Sequence, residues 1–229
     1  MLRETKSINS VLISVLAACL TACDSKKVES DVVSTDKSAI SVLDKNHLVH
    51  DYPPIDPDGN LNVVVEIPAG TNAKWEVEKE SGKLEWEIKN GKPRVVSYLG
   101  YPGNYGMIPQ TLLSKNEGGD GDPLDVLVIG PALPRGEIVK TRAIGVLKLL
   151  DGGEQDDKII AVAVGSKLGE LTSIADLKKG FNGAAEIIEI WFSNYKGPGK
   201  MESKGFEESL EAKKIIDAAI ETYRNKSVQ

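Results

Sequence analysis

Beyond position 23 this 229-residue chain has no cysteine, because Cys19 and Cys23 are its only two. The remainder therefore holds no thiol that could form a disulfide, ligate zinc or act as a nucleophile. The whole chain also lacks a long basic run, and its formal net charge is -6, which argues against a nucleic-acid binder that works by neutralising phosphates. No internal repeat at a solenoid period occurs. The one apolar run near the start is well short of the roughly 20 residues that a membrane-spanning helix needs.

That run has a different use. Arg3 and Lys6 precede the short apolar core VLISVLAACLTA, an arrangement that reads as an export signal. Leu20-Thr21-Ala22-Cys23 resembles the lipobox of bacterial lipoproteins, in which the cysteine is lipidated and becomes the mature N-terminus. Leu16-Ala17-Ala18-Cys19 also fits, but Cys23 leaves a longer apolar core and is followed at once by polar DSKKVESD. Residues 1–22 are thus expected to be a lipoprotein-type signal peptide. Residues 23–46, rich in Ser, Asp, Lys and Val without a helical or two-residue period, are expected to be a flexible tether. The expectation is an exported protein, lipid-anchored to a bacterial membrane and facing the periplasm or outside.

The remaining residues, 47–229, suit one globular domain with a sizeable core. NLNVVVEIPAG, AKWEVEKE, LEWEIK and PRVVSYLG are short alternating or apolar runs bounded by Gly, Pro or Asn, as are DVLVIG, EIVKTRAIGVLKLLD and KIIAVAVG. These predict strands joined by turns, in an antiparallel sheet or small barrel. Helical patterning comes late. AAEIIEIWFSNYK, at 184–196, lacks internal Gly or Pro, and Phe206, Leu210, Ile216, Ile220 and Tyr223 share a helical face in FEESLEAKKIIDAAIETYR. Strands first and helices last predict a mainly β, α+β fold: a β-barrel with added helices packed beside it.

GGDGDPLDVLVIG carries Asp120, Asp122 and Asp125 within six positions. Carboxylate oxygens are the ligands that magnesium, manganese and calcium prefer. An EF-hand loop starting at Asp120 would need Gly at its sixth position and Glu at its twelfth, where Asp125 and Pro131 stand. Asp120 and Asp122 fall on one side of an extended chain and Asp125 at the entry to the next strand, so all three can meet in one cavity. Asp151 and Asp156 lie in LLDGGEQDDKIIAV, a Gly-containing hairpin-like loop that alone reads as a solvated turn. Lys74 and Glu76 share one face of AKWEVE, opposite Trp75 and Val77. Tyr101 and Tyr105 sit in the loop GYPGNYGMIPQT, and Tyr195, Lys196 and Lys200 close the 184–196 helix, where cations suit the helix dipole.

Together these segments resemble the soluble family I inorganic pyrophosphatases. DGDPLDVLV is similar to that family's signature D-x-D-P-x-D-V, and VEIPAG, KWEVEKESG, NYGMIPQT, GVLKLLD and WFSNYKGPGK follow the family's order over roughly Leu61 to Lys200. The resemblance implies a five-stranded OB-like barrel and metal-dependent hydrolysis of inorganic diphosphate to two orthophosphates. It makes Asp120, Asp125, Asp151 and Asp156 metal-binding carboxylates and Asp122 the base toward the attacking water. It makes Lys74, Arg94, Tyr105, Tyr195 and Lys196 phosphate-binding groups, with Lys92 a neighbouring alternative to Arg94. Glu66, Glu76, Tyr101, Lys158 and Lys200 match accessory positions. The implied cofactor is magnesium, several ions per site, with manganese as another divalent candidate, and the implied assembly is a homo-oligomer. Family members usually serve the cytoplasm, which is the alternative location. The competing functional class is a tethered, non-catalytic barrel that holds divalent cations or phosphate without turnover.

Overall fold

Strand β1 (Leu61–Ile67) opens a ring in the computed structural model, which describes residues 46–113, 119 and 121–227. The expected signal peptide and all but the last residue of the expected tether, with Cys19 and Cys23, lie outside the described residues, and so does Asp120. Two small antiparallel pairs follow β1: β2 (Trp75–Val77) with β3 (Leu84–Trp86), and β4 (Ile88–Lys89) with β5 (Lys92–Pro93). Then come β6 (Asn104–Met107), β7 (Asp125–Ile129), the 14-residue β8 (Ile138–Asp151), β9 (Glu154–Gln155) and β10 (Lys158–Ala163).

Pairing runs β1-β6-β7-β10-β8, and β8 returns to β1, so five strands close on themselves as the expected OB-like barrel. The β7–β10 pair is parallel, within a barrel whose other pairs are antiparallel. β8 is long enough to pair β1 through Ile138–Thr141, β10 through Thr141–Leu147 and a further strand through Gly145–Asp151. It bends where the register shifts opposite Ile160/Ala161, as a barrel corner requires. Gly145 sits at this bend because a Cβ there would lie 2.3 Å from Ile174 Cγ1 and 2.5 Å from the Glu207 carbonyl.

Among the described residues, three helices cover the barrel: α1 (Ile174–Gly180), α2 (Ala184–Asn194) and α3 (Ser209–Ser227). Ser173 caps α1 by accepting from the Asp176 amide. Alternate strand residues enter different cores. Leu127, Ile160 and Val162 pack with Leu177, Ile188 and Phe192, whereas Val126, Val128, Ile159 and Ala161 pack with Ala212, Ile216 and Ile220 of α3. A third cluster joins Leu48 and Val49 to Val64, Val77 and Met107.

Three expected elements differ. Residues 201–208, MESKGFEE, form strand β11 against β8, so Phe206 lies on a strand and not on the α3 face. Leu210 is on α3 but exposed, and the buried stripe is Ala212, Ile216, Ala219 and Ile220. After Pro93, which ends β5, PRVVSYLG continues as a loop with a single bridge, Ala73 to Val95. Its backbone groups bond the 71–74 segment instead of a strand: the Val96 amide donates to Asn72, and Arg94 accepts from Lys74.

Candidate active site

One cavity of about 390 Å³ is lined by twelve of the fifteen expected site residues: Glu66, Lys74, Glu76, Arg94, Tyr101, Tyr105, Asp122, Asp125, Asp156, Lys158, Tyr195 and Lys196. Each reaches it for a local reason. In the β1–β6 register Val65 faces Gly106 and Ile67 faces Tyr105, so Glu66 is the extra residue of a β-bulge. Bulges turn a side chain out of the strict alternation. Glu66 is 5% exposed, and its Oε1 accepts from the Val77 amide at 2.7 Å. Gly106 lets the chains approach, since a Cβ there would fall 1.8 Å from the Val64 carbonyl oxygen.

Asp125 is the first residue of β7 and Lys158 the first of β10, and these strands are parallel neighbours, so both side chains emerge at one end of the barrel. Lys158 is fully buried, and its Nζ lies 2.5 Å from Asp125 Oδ2 and 2.5 Å from Asp156 Oδ1. Burial alone would raise Asp125, but the charge and hydrogen bond of Lys158, with Lys74 and Tyr105, hold its pKa below the usual value. Asp156 goes the other way: burial and the charge of Asp125 outweigh Lys158 and raise it. Lys158 itself is raised, its two carboxylates overcoming burial. Burial, with Asp125 and Glu76 nearby, pushes Glu66 up to about 7 against the pull of Lys74.

The phenols are positioned by Trp191. Its ring stacks on Tyr195 with centroids 4.8 Å apart and lies 4.3 Å from Tyr101, while its indole N–H donates to the Leu99 carbonyl at 3.0 Å. Burial raises both Tyr101 and Tyr105, which stay neutral hydrogen-bond donors. Lys74 Nζ lies 5.4 Å over the Tyr105 ring and 3.6 Å from Glu76 Oε2. Arg94 Nη1 donates to both oxygens of Glu87, at 2.9 and 2.7 Å, while Arg94 faces the cavity. Lys92, in the exposed β4–β5 pair, does not line it.

Asp151, the last residue of β8, lies just outside the lining and joins through Lys196, whose Nζ is 2.5 Å from Asp151 Oδ2. Lys200 is not brought in: its side chain is exposed beyond Gly199, and its carbonyl accepts from Gly152 at the tip of the Asp151–Asp156 hairpin. Lys79 does line the cavity and pairs with Asp122, and Glu78 lines it too. Both stand in KWEVEKESG, whose resemblance points only to Lys74 and Glu76. Trp191, inside the apolar run EIIEIWF, carries no local signal of its place beside the phenols.

The donor set suits a hard divalent cation. Six carboxylates line the cavity against five cationic side chains, with no His or Cys. Buried Asp156 Oδ2 has no hydrogen-bond partner among the described residues, and Lys196 Nζ lies 4.0 Å from it. Among the described residues no three acidic groups are gathered as a preformed metal shell, because lysines hold their oxygens.

A closed OB-like barrel with a cavity of alternating carboxylates, cations and neutral phenols defines a barrel protein equipped for cations and a small polyanion. The chain belongs to the inorganic pyrophosphatase family, whose model matches residues 63–224. The inorganic pyrophosphatase of Kluyveromyces lactis is 39% identical over 181 residues, covering 72% of this chain and 63% of that protein. The chain thus spans under two thirds of that relative's length. A type I inorganic pyrophosphatase structure from Toxoplasma gondii matches at 32% identity and a TM-score of 0.71, covering 78% of this chain and 87% of that one. A truncated Trypanosoma cruzi vacuolar soluble pyrophosphatase, solved in complex with PPi, matches at 29% identity and 0.71, covering 82% and 77%.

Proposed function

We propose that the protein hydrolyses inorganic diphosphate to two orthophosphates with magnesium and a metal-activated water. The observation that carries this is the meeting of Asp122, Asp125 and Asp156 with Lys74, Arg94 and Lys196 in one cavity. The carboxylates of that cavity offset its cations, so further positive charge is needed to hold a polyanion. Asp120, Asp125, Asp151 and Asp156 hold magnesium, which when bound supplies Lewis acidity and neutralises phosphate charge. Lys74, Arg94 and Lys196 then hold the phosphate oxygens, and Tyr105 and Tyr195 donate hydrogen bonds to them. Asp122 takes the proton of the attacking water as its oxygen bonds to one phosphorus and the bridging P–O bond breaks. Phosphoryl transfer asks the protein for positioning and electrostatics, so no covalent nucleophile is needed. Glu66, Glu76 and Tyr101 line the wall as accessory groups, and Lys158 neutralises Asp125 and Asp156.

Phosphate release from diphosphate by the purified full chain, with and without magnesium, tests this. Release that needs the metal is expected; a folded protein with none would leave the non-catalytic barrel.

The N-terminal proposal is separate: residues 1–22 are a signal, Cys23 is the lipidated residue, and 47–229 is the enzyme domain. No helix among the described residues is long and apolar enough to cross a membrane. Membrane recovery should fall in a Cys23→Ala variant, and unchanged recovery would remove this anchor. Assembly into a homo-oligomer completes the reading, with sedimentation as its check.

A further inference from the structure

The turn that carries Lys79 is gripped from behind. It joins β2 to β3 over residues 78–83, and its own bonds are local: the Gly82 amide donates to Glu78, and Glu78 to Lys83. The segment 46–52 packs against its back. The Leu48 amide donates to the Gly82 carbonyl at 3.0 Å. His47 Nε2 lies 3.3 Å from the Glu80 carbonyl, which can only accept, so this nitrogen carries the proton. The His47 ring lies flush on Gly82, where a Cβ would come within 2.3 Å of it, and Gly82 holds φ +67.

The segment is fixed to the rest of the fold independently of that turn. Leu48 and Val49 are buried with Val64, Val77 and Met107, and the last two line the cavity. Gln110 donates its amide to the Val49 carbonyl at 2.9 Å and its side chain to the His50 carbonyl at 2.7 Å. His50 stacks on His47 with centroids 4.1 Å apart, and its Nδ1 lies 2.6 Å from the Tyr223 hydroxyl on α3. On its front the turn sends Lys79 into the cavity, where it pairs with Asp122.

That pair is half exposed, and exposed ion pairs contribute little to stability. Its consequence is geometric. A carboxylate paired with an ammonium whose backbone is fixed is biased toward one orientation, and small misplacements of a reacting group cost large factors in rate. We propose that residues 46–52 form a positioning strap: they fix the 78–83 turn and, through Lys79, orient the Asp122 carboxylate. This rests on Asp122 acting as the base. Lys79 and His47 are positioning residues, since neither is assigned contact with the reacting atoms.

The test is a double-mutant cycle on the full chain, with magnesium and diphosphate. Lys79→Met should lower kcat about tenfold with KM changed by less than about twofold, and Lys79→Arg should recover most of the loss. His47→Ala should lower kcat several-fold, and the double variant should be no slower than Lys79→Met alone, because the two act in series. Losses that multiply, or a Lys79→Met effect confined to KM, would overturn the proposal. His47→Gln, with thermal midpoints for all variants, guards against a folding defect. A readout independent of turnover is the backbone amide resonance of Asp122 in the 1H–15N spectrum. His47→Ala should shift it in the parent and leave it unmoved in the Lys79→Met background, and a shift of equal size in both would reject the strap. If the parent released no phosphate, the hydrolytic reading would fall while the amide shifts still decided the coupling.

Discussion

The ammonium of Lys158 lies 2.5 Å from Asp125 Oδ2, with the lysine side chain 2% exposed and the aspartate open to the cavity. A lysine this enclosed persists only while its carboxylates compensate for lost hydration. The reverse also holds: Asp125 and Asp156 sit close together because a cation lies between them.

Lys158→Met strands both carboxylates. The metal-free protein should lose about 3 kcal/mol, the lower end for a broken buried pair because Asp125 is partly hydrated. Saturating magnesium should restore part of it by supplying a cation in the same place. Chemical denaturation with and without magnesium measures both effects. An unchanged midpoint in the metal-free variant would show that the carboxylates do not depend on Lys158.

Glu66 gives the metal-free protein a pH dependence of definite sign. Its pKa rises from 4.5 to about 7 on folding, chiefly through burial, so between these values the native state holds a proton that the unfolded chain has released. The contribution of this group to stability is therefore fully present below 4.5 and is lost as pH rises through 7, by on the order of 3 kcal/mol. Urea denaturation of wild type and Glu66→Gln across pH 4.5–8 isolates it: the difference between the two should shift steadily over that range. A constant difference would place Glu66 in a hydrated setting.

How far these features could be read beforehand depends on what made them. β1, β7, β8 and β10 are runs of Val, Ile and Leu between turn residues, and local chemistry alone predicts them. β11 is not such a run. MESKGFEE has Gly205 at φ +85 and a register shift beside it, and becomes a strand by pairing with β8, which is tertiary information. The same limit hid the site's electrostatics. Asp122 and Asp125 were legible from DGDPLDV, whereas the bulge that turns Glu66 inward exists only in the β1–β6 register. Lys158 read as accessory because its central place comes from the parallel β7–β10 pair, which no spacing along the chain reveals.

Asp122→Asn keeps the shape of the side chain and removes its basicity. Turnover should fall on the order of a hundredfold, as for loss of a positioned base, while magnesium binding stays close to wild type. Calorimetric titration of magnesium alongside phosphate release separates the two. Equal losses in binding and turnover would make Asp122 a metal ligand and not the base.

Arg94 and Lys92 are two positions apart, yet only Arg94 faces the cavity, oriented by the two oxygens of Glu87. A planar guanidinium can keep that contact and still present N–H groups to a phosphate, whereas a lysine offers a single ammonium that cannot serve both. Arg94→Lys should therefore raise KM for diphosphate or lower kcat/KM by about tenfold or more, and Lys92→Met should leave both within about twofold, since exposed charges away from the site contribute little. Glu87→Gln supplies the mechanism check. By loosening the guanidinium without removing it, this change should reproduce part of the Arg94→Lys loss, and adding it to Arg94→Lys should cost nothing further. Kinetic constants for the four variants decide the assignment, and a Lys92→Met loss as large as that of Arg94→Lys would transfer the phosphate contact to Lys92.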